Sequence, residues 1–317
     1  MSATQSVARI AFPTQSVGTR KLPMLTREVM RQVKRLQLRA RRAVEDPLGG
    51  AYRSVFKGSG IAFEEVREYQ PGDEIRSIDW NVTARMGHPF VKRFIEEREL
   101  TVILLIDASA SMSFGTAPQA KRDVAAELAA LIALCAVGNN DKVGMILLAQ
   151  HVESFVPPRK GARHVLRLIR DLFVHEPRER TTNLRAGFDY LNKIMHRRAL
   201  VFVISDFLDV GYEKAMQRTA HRHDVVAVTV RDPREEAIPD VGLLEVCDAE
   251  TGHAELIDTS PAEFGATFAA LRQKRDDAFQ QWTRAHKIDV LTASTTGRHL
   301  EELMRFFQQR ERRLKHL

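Results

Sequence analysis

The chain has 317 residues, of which 44% are hydrophobic and 28% are charged, and its formal net charge is +7. This composition is ordinary for a soluble globular protein. No stretch reaches the roughly 18 uninterrupted apolar residues of a membrane helix, and the N-terminus lacks the pattern of a signal peptide. The two cysteines, Cys135 and Cys247, have no metal-ligand spacing, which argues against a disulfide framework or a zinc site. We expect a cytoplasmic protein.

The positive charge is concentrated near the N-terminus, where residues 1–45 contain ten Lys and Arg but only two Glu. We predict a flexible tail over residues 1–22 and a basic amphipathic helix over residues 23–48. Such an arm could contact nucleic acid, an anionic membrane surface as a peripheral contact, or an acidic partner. A solvated helix surface is the simpler interpretation. Because no aromatic platform accompanies the charge, weak non-specific nucleic-acid binding is the most that we expect.

Residues 49–100 contain short runs of alternating polar and apolar residues, namely AYRSVF, AFEEVREY, SIDWNVTAR and PFVKRFIEE. Turn signals such as Pro71-Gly72 separate these runs, and the spacing leaves no room for helices between strands. We therefore predict a small β-rich module over this range. Its charges alternate in sign from Arg67 to Asp79 and could pair across a hairpin, and Trp80 is a candidate anchor on the sheet.

From residue 101 onward, buried strands alternate with helices. This pattern predicts an α/β domain over residues 101–317 with a doubly wound, mostly parallel sheet and right-handed crossovers. Two further runs, LLEVCD and HAELID, flank a short polar turn and predict a hairpin. The predicted core strands cover residues 101–106, 143–149, 199–205, 225–230 and 287–293.

Polar side chains follow two of these strands and begin one helix. They are Asp107, Ser109 and Ser111 after the first strand, Ser205 and Asp206 after the third, and Thr181 and Thr182 in a loop between them. In an open α/β sheet, ligands bind at the carboxyl ends of the strands. Carboxylates and hydroxyls without a thiolate or imidazole are hard ligands, which select Mg²⁺, or Mn²⁺ or Ca²⁺, over zinc and copper.

The segment Asp107-Ala-Ser109-Ala-Ser111 resembles the DxSxS motif of von Willebrand factor A domains. That resemblance implies a metal-ion-dependent adhesion site. It would have Ser109, Ser111 and Thr182 at its hydroxyl positions and Asp107 and Asp206 at its carboxylate positions, some of them acting through water. Thr182 is preferred to Thr181 because it precedes an asparagine, as in the family pattern. Asp209 is a weaker rival to Asp206 because it lies three residues beyond the strand end.

The upstream stretch REYQPGDEIRSIDW, from Arg67 to Trp80, resembles the signature of domain-of-unknown-function family 58. Members of that family place it directly before a von Willebrand factor A-like domain. The resemblance implies an adaptor or chaperone-like partner of a MoxR-type AAA+ ATPase. Together with the site chemistry, it predicts a non-enzymatic protein-interaction module whose divalent metal binds a carboxylate of the partner.

Two other functions fit parts of the sequence. A haloacid-dehalogenase-like phosphatase would use Asp107 as its nucleophile, but it needs a second Asp where this chain has Ser109. A nucleic-acid binder would use the basic arm. No GxSxG, HExxH or GxxxxGK[ST] motif occurs. His221, His223 and Asp224 could ligate a metal, although a polar turn between a helix and a strand accounts for them more simply.

Overall fold

In the computed structural model, the described residues are 48–56, 62–95, 99–116 and 119–315. The chain divides into two units, a small one over Phe56–Leu100 and a large one that combines the preceding helix with the chain from Thr101 onward. The predicted tail, and the predicted basic helix up to residue 47, lie outside the described residues.

The first described helix, α1 (Leu48–Val55), belongs to the large unit. We predicted that the β-rich module would begin at residue 49 and that AYRSVF would be extended, but this segment is helical. The Tyr52 hydroxyl donates to Asp141 Oδ2 at 3.0 Å, and the Tyr52 ring lies 5.8 Å from that of Phe307, edge to face. Burial of this face against distant parts of the chain outweighs the weak helix propensity of Gly49 and Gly50.

The small unit contains β1 (Ala62–Glu68), a short helix α2 (Trp80–Met86) and β2 (Phe90–Ile95). The two strands pair antiparallel. Most of the run SIDWNVTAR, which we predicted to be a strand, is helical, because α2 begins at Trp80. Asp79 explains the difference because its side chain accepts hydrogen bonds from the first backbone N–H groups of the helix.

The charged turn of this unit partly follows the prediction. Gly72 has a φ of 110°, which confirms the Pro71-Gly72 turn. Arg67 and Asp73 form a two-pronged ion pair with distances of 2.7 and 2.9 Å. Trp80, however, is 67% exposed, so the prediction that it anchors on the sheet is wrong.

The large unit is built on a six-stranded sheet, and its topology confirms the doubly wound, mostly parallel prediction. In spatial order the strands are β10 (Asp289–Ser294), β7 (Asp224–Arg231), β6 (Leu200–Ser205), β3 (Thr101–Asp107), β4 (Lys142–Leu148) and β5 (Val152–Arg159). All neighbours are parallel except β4 and β5. We did not predict β5, because it contains Pro157-Pro158. Proline is tolerated there since β5 lies at the edge of the sheet.

Helices flank this sheet, and its central strands are buried. Val102 to Leu105 in β3 are 0% exposed, and alternate residues pack against the helix that precedes β6. The remaining elements are α3 (Lys121–Gly138), α4 (Ala162–Val174), α5 (Leu184–Ile194), α6 (Glu213–Arg222), α7 (Pro233–Glu236), β8 (Leu243–Cys247), β9 (Ala254–Asp258), α8 (Ala262–Ala285) and α9 (His299–Lys315).

The predicted hairpin is confirmed, since β8 and β9 pair only with each other in a separate two-stranded sheet. Within the part of the chain that the structure describes, no helix combines the length and the apolar character that a membrane span requires.

The C-terminal helix provides a testable pH dependence. His299, whose side chain is 4% exposed, lies 3.2 Å from Glu127 Oε2 in α3. Burial alone would lower the His299 pKa, but hydrogen bonds to Glu127 and to the Ser294 carbonyl raise it above its ordinary value. A raised histidine pKa contributes stability that is complete below about pH 6.5 and is lost as the pH rises through the folded-state pKa.

Replacing this histidine, as His299→Gln, should therefore cost about 1–2 kcal/mol of unfolding free energy at pH 5.5 and less at pH 9. Urea denaturation at both pH values measures the difference. His196→Gln, at an exposed position, is the matched control and should change stability little at either pH. An equal cost of His299→Gln at both pH values would contradict the expected ion pair.

Candidate metal site

Asp107 is the last residue of β3, which brings it to the carboxyl edge of the sheet. The residue is 2% exposed. Its Oδ1 accepts the Ser109 backbone N–H at 2.9 Å, and its Oδ2 accepts the Ser205 hydroxyl at 2.7 Å. Burial and the charge of Asp206 raise the Asp107 pKa to about 6, although the hydrogen bonds from the two serines oppose the shift. A cation bound beside such a carboxylate would favour its charged form.

Ser109 and Ser111 follow at two-residue steps, where the chain enters a 3₁₀ turn over Ala110–Ser113. Ser109 is 1% exposed, and its hydroxyl oxygen lies 3.0 Å from that of Ser111. This is a normal hydrogen-bond distance. It is also the separation of two adjacent ligands on an octahedral Mg²⁺, each about 2.1 Å from the ion, which gives about 3.0 Å. The two hydroxyls therefore have the spacing of neighbouring metal ligands.

The loop that precedes α5 reaches the same edge of the sheet. The Ala110 N–H donates to the Arg180 carbonyl at 2.9 Å, which joins this loop to the serine turn. Thr182 lines the same cavity as Ser111. The Thr181 hydroxyl instead donates to Gln150 Oε1 at 3.0 Å. Of the two threonines, Thr182 is the one that shares a cavity with the serine turn.

Asp206 directly follows β6, the neighbour of β3 in the sheet. Its side chain is 3% exposed, and its Oδ2 accepts the Lys121 ammonium at 2.7 Å. The rival Asp209 accepts the backbone N–H of Leu184 at 2.8 Å and so stabilises the first turn of α5. The structure thus places the five predicted residues along one edge of the sheet: Asp107, Ser109, Ser111, Thr182 and Asp206.

Lys121 is a buried cation that we did not predict. It is the first residue of α3 and is 0% exposed, and its Nζ lies 2.7 Å from both Asp206 Oδ2 and Glu235 Oε1. Burial alone would lower the Lys121 pKa, but the two carboxylates together raise it above its ordinary value. A lysine at the start of an apolar helix was visible in the sequence. Its partners, 85 and 114 residues away along the chain, were not.

Glu250 is a second contact that the sequence did not reveal. It lies in the turn between β8 and β9, which we predicted only as a connection. Its Oε1 accepts the Thr182 hydroxyl at 2.6 Å, and its Oε2 accepts the Thr182 N–H at 3.3 Å. The hairpin therefore places a carboxylate directly on one of the predicted site hydroxyls.

The alternative histidine group is structural. His223 is 3% exposed and its Nδ1 accepts the Ala199 N–H at 3.2 Å. Burial and two neighbouring arginines lower its pKa to about 4, so the ring is neutral at pH 7. Asp224 pairs with Arg310 instead, and His221 is exposed.

A cavity of about 620 Å³ opens beside the site. Ser111, Thr182 and Glu250 lie in its lining, and most of its remaining wall is apolar, with Phe114, Leu208 and Val246 among the lining residues. Three arginines and five acidic residues also line it: Arg234, Arg272, Arg275, Asp209, Glu235, Glu245, Asp248 and Glu250. The cavity therefore matches a ligand with an apolar group, and its charges are of both signs.

The donor set defines what the site could hold. Across the four described ranges, no three His, Cys, Asp or Glu side chains are grouped so that they could hold a metal ion. A metal at this edge would therefore depend on hydroxyl ligands, and Ser109, Ser111 and Thr182 are available beside Asp107 and Asp206. Such a set suits Mg²⁺, which binds through one or two carboxylates and leaves other positions for water or an outside group. The residues present thus fit a hard divalent cation.

Two solved structures that resemble this chain share low sequence identity with it. An aerotolerance-related membrane protein from Bacteroides fragilis is 16% identical, with a TM-score of 0.47, and the match covers 68% of this chain and 99% of that one. The SpRpn10 VWA domain is 12% identical, with a TM-score of 0.38, and the match covers 65% of this chain and 93% of that domain.

Sequence comparison is more specific. "Uncharacterized protein Rv1480" from Mycobacterium tuberculosis (strain ATCC 25618 / H37Rv) is 33% identical over 291 residues, which cover 87% of this chain and 88% of that protein. The family model described as "Protein of unknown function DUF58" matches residues 65–278, about two thirds of the chain and including both the upstream signature and the site. The chain belongs to the DUF58 family.

Proposed function

We propose that this chain is a non-enzymatic protein-interaction module whose divalent-metal adhesion site binds a carboxylate of a partner protein. Ser109, Ser111 and Thr182 would hold the ion together with Asp107 and Asp206, some of them through water. Mg²⁺ is the proposed metal, with Mn²⁺ or Ca²⁺ as alternatives of the same hard class. When bound, the ion would supply the positive charge that attracts an Asp or Glu of the partner.

The observation that carries this proposal is the 3.0 Å separation of the Ser109 and Ser111 hydroxyl oxygens, with the buried Asp107 behind them. Asp107 would act mainly by orientation and charge. It receives the Ser109 N–H and so fixes the turn that presents both hydroxyls. Neutral hydroxyl ligands leave most of the ion's charge unquenched, which favours an additional carboxylate from outside.

The environment supports a binding role over catalysis at Asp107. A phosphatase nucleophile must reach its phosphoester substrate, but Asp107 is only 2% exposed. The acid that such an enzyme uses is replaced by Ser109. The apolar wall of the adjacent cavity favours a partner segment that carries apolar side chains beside its carboxylate. We propose, on the family resemblance, that this partner is a MoxR-type AAA+ ATPase in the cytoplasm.

Isothermal titration with MgCl₂ tests the metal site. The full-length wild type should bind Mg²⁺, and Asp107→Ala should weaken binding by at least about tenfold, because the loss of a carboxylate that orients the ligands has effects of this order. Asp277→Ala removes the same charge from the exposed face of α8 and should bind as the wild type does. Absence of divalent-ion binding by the wild type would overturn the proposed function.

A pull-down with a purified MoxR-type ATPase tests the partner. Retention by the wild type in MgCl₂ should be lost on addition of EDTA and in Asp107→Ala, while Asp277→Ala retains the ATPase. Retention that is equal in EDTA and in MgCl₂ would show that the metal site does not mediate the contact.

A further inference from the structure

The β8–β9 hairpin carries a carboxylate into the proposed metal site. Glu250 Oε1 lies 2.6 Å from the Thr182 hydroxyl oxygen, and adjacent ligands of an octahedral Mg²⁺ are about 3.0 Å apart. A carboxylate oxygen at this distance from one ligand is therefore within reach of the same ion. It occupies the kind of position that we assign to the carboxylate of a partner.

The geometry of the hairpin tip directs this side chain. Asp248 Oδ1 accepts the Glu250 N–H at 2.8 Å and the Thr251 N–H at 3.2 Å, which fixes the turn locally. Arg180 Nε donates to the Ala249 carbonyl at 3.2 Å. The tip is thus tied to the Thr182 loop by the Arg180 side chain in addition to the glutamate itself.

The charge of Glu250 is not balanced by an ion pair. Within the described residues, its side chain accepts hydrogen bonds from Thr182 and forms no ion pair with Lys or Arg. Lys121 is bound to Asp206 and Glu235. A partly buried carboxylate without a paired cation is costly, and a divalent ion beside Thr182 would supply the missing charge.

The hairpin is also suited to displacement. Its strands pair only with each other, and an isolated two-stranded hairpin is marginally stable at best. Leu244 is buried, but Leu256 on the other strand is 54% exposed. Few contacts would therefore have to break for the tip to leave the site.

We propose that Glu250 is a built-in carboxylate ligand of the metal site, which a partner's Asp or Glu must displace. This inference rests on the proposed function and adds a regulatory element to it. In the absence of a partner, Glu250 completes the site and keeps it from binding weakly acidic surfaces. An acidic partner competes with Glu250 for the same position and releases the hairpin tip.

The variant Glu250→Gln in the full chain tests this proposal, with Glu255→Gln as the matched control on an exposed position of the same hairpin. In titrations with MgCl₂ alone, Glu250→Gln should bind about tenfold more weakly than the wild type, whereas Glu255→Gln should be unchanged. In saturating MgCl₂, a hexaglutamate peptide should bind Glu250→Gln several-fold more tightly than the wild type, because no internal carboxylate competes.

Hydrogen exchange provides a second readout. Mg²⁺ should slow exchange of the amides of residues 248–252 in the wild type and not in Glu250→Gln, and hexaglutamate should reverse the slowing. Glu250 is not a ligand if the wild type and Glu250→Gln bind Mg²⁺ equally and if Mg²⁺ does not change the amide exchange rates of the hairpin. The proposed function then survives, because Asp107→Ala would still lose Mg²⁺. If the wild type binds no Mg²⁺, both proposals fail together.

Discussion

Replacing Lys121 with methionine is expected to lower the free energy of unfolding by about 3–5 kcal/mol, because it leaves two buried carboxylates without their shared cation. The Lys121 side chain is 0% exposed, Asp206 is 3% and Glu235 is 19% exposed. Methionine preserves the length and the apolar stem of lysine, so the cost arises from the lost charge and two lost hydrogen bonds. Urea denaturation followed by circular dichroism measures it.

The neighbouring residue supplies the control. Arg122 is 56% exposed, and its one ion pair among the described residues is a 4.0 Å contact with Asp123, so Arg122→Met should change stability by less than about 0.5 kcal/mol. A cost of less than about 1 kcal/mol for Lys121→Met would mean that the two carboxylates are protonated or hydrated when the lysine is absent. The ion pair would then contribute little to the stability of the fold.

The second large effect is expected for Asp232→Ala, which should cost about 3 kcal/mol of unfolding free energy. Asp232 is 0% exposed and accepts hydrogen bonds from the Thr116 N–H and hydroxyl, the Thr295 hydroxyl and the Arg234 N–H. One carboxylate thus connects the ends of β7 and β10 to the loop after β3. Alanine removes the acceptor of all four donors, including the hydroxyl of the buried Thr295.

Chemical denaturation compares this variant with Asp240→Ala, an exposed position on the segment between α7 and β8, which should be nearly neutral. The Asp232 and Lys121 effects should also be less than additive. Glu235 joins the two groups, since the Asp232 side chain caps α7, the helix that carries Glu235, and Glu235 Oε1 binds Lys121. Full additivity in Lys121→Met/Asp232→Ala would contradict a connected network.

Part of the fold followed from the local sequence alone. The apolar β-branched runs at 101–106, 199–205 and 225–230 could bury both faces only as central strands, and their alternation with helices dictated a parallel sheet. The strand predictions were wrong where a local feature of the sequence opposed the pattern of alternating polar and apolar residues. The WNVTAR part of SIDWNVTAR is helical because Asp79 caps it, and the prolines of β5 are compatible only with a strand at the edge of a sheet.

The sequence by itself determined where the polar edge of the sheet lies and which side chains reach it first. Asp107, Ser109 and Ser111 alternate along one short segment at the end of β3, and Asp206 follows the neighbouring strand β6, so strand order alone brings them to one edge. Only the tertiary structure decided which other charged side chains lie at this edge of the sheet. Three such side chains come from elements that are far apart in the chain: Lys121 at the start of α3, Glu235 in α7 and Glu250 in the turn between β8 and β9. No periodicity or residue spacing in the sequence predicts contacts between such elements. Those contacts depend on how the loops pack, and they set the charge of the site.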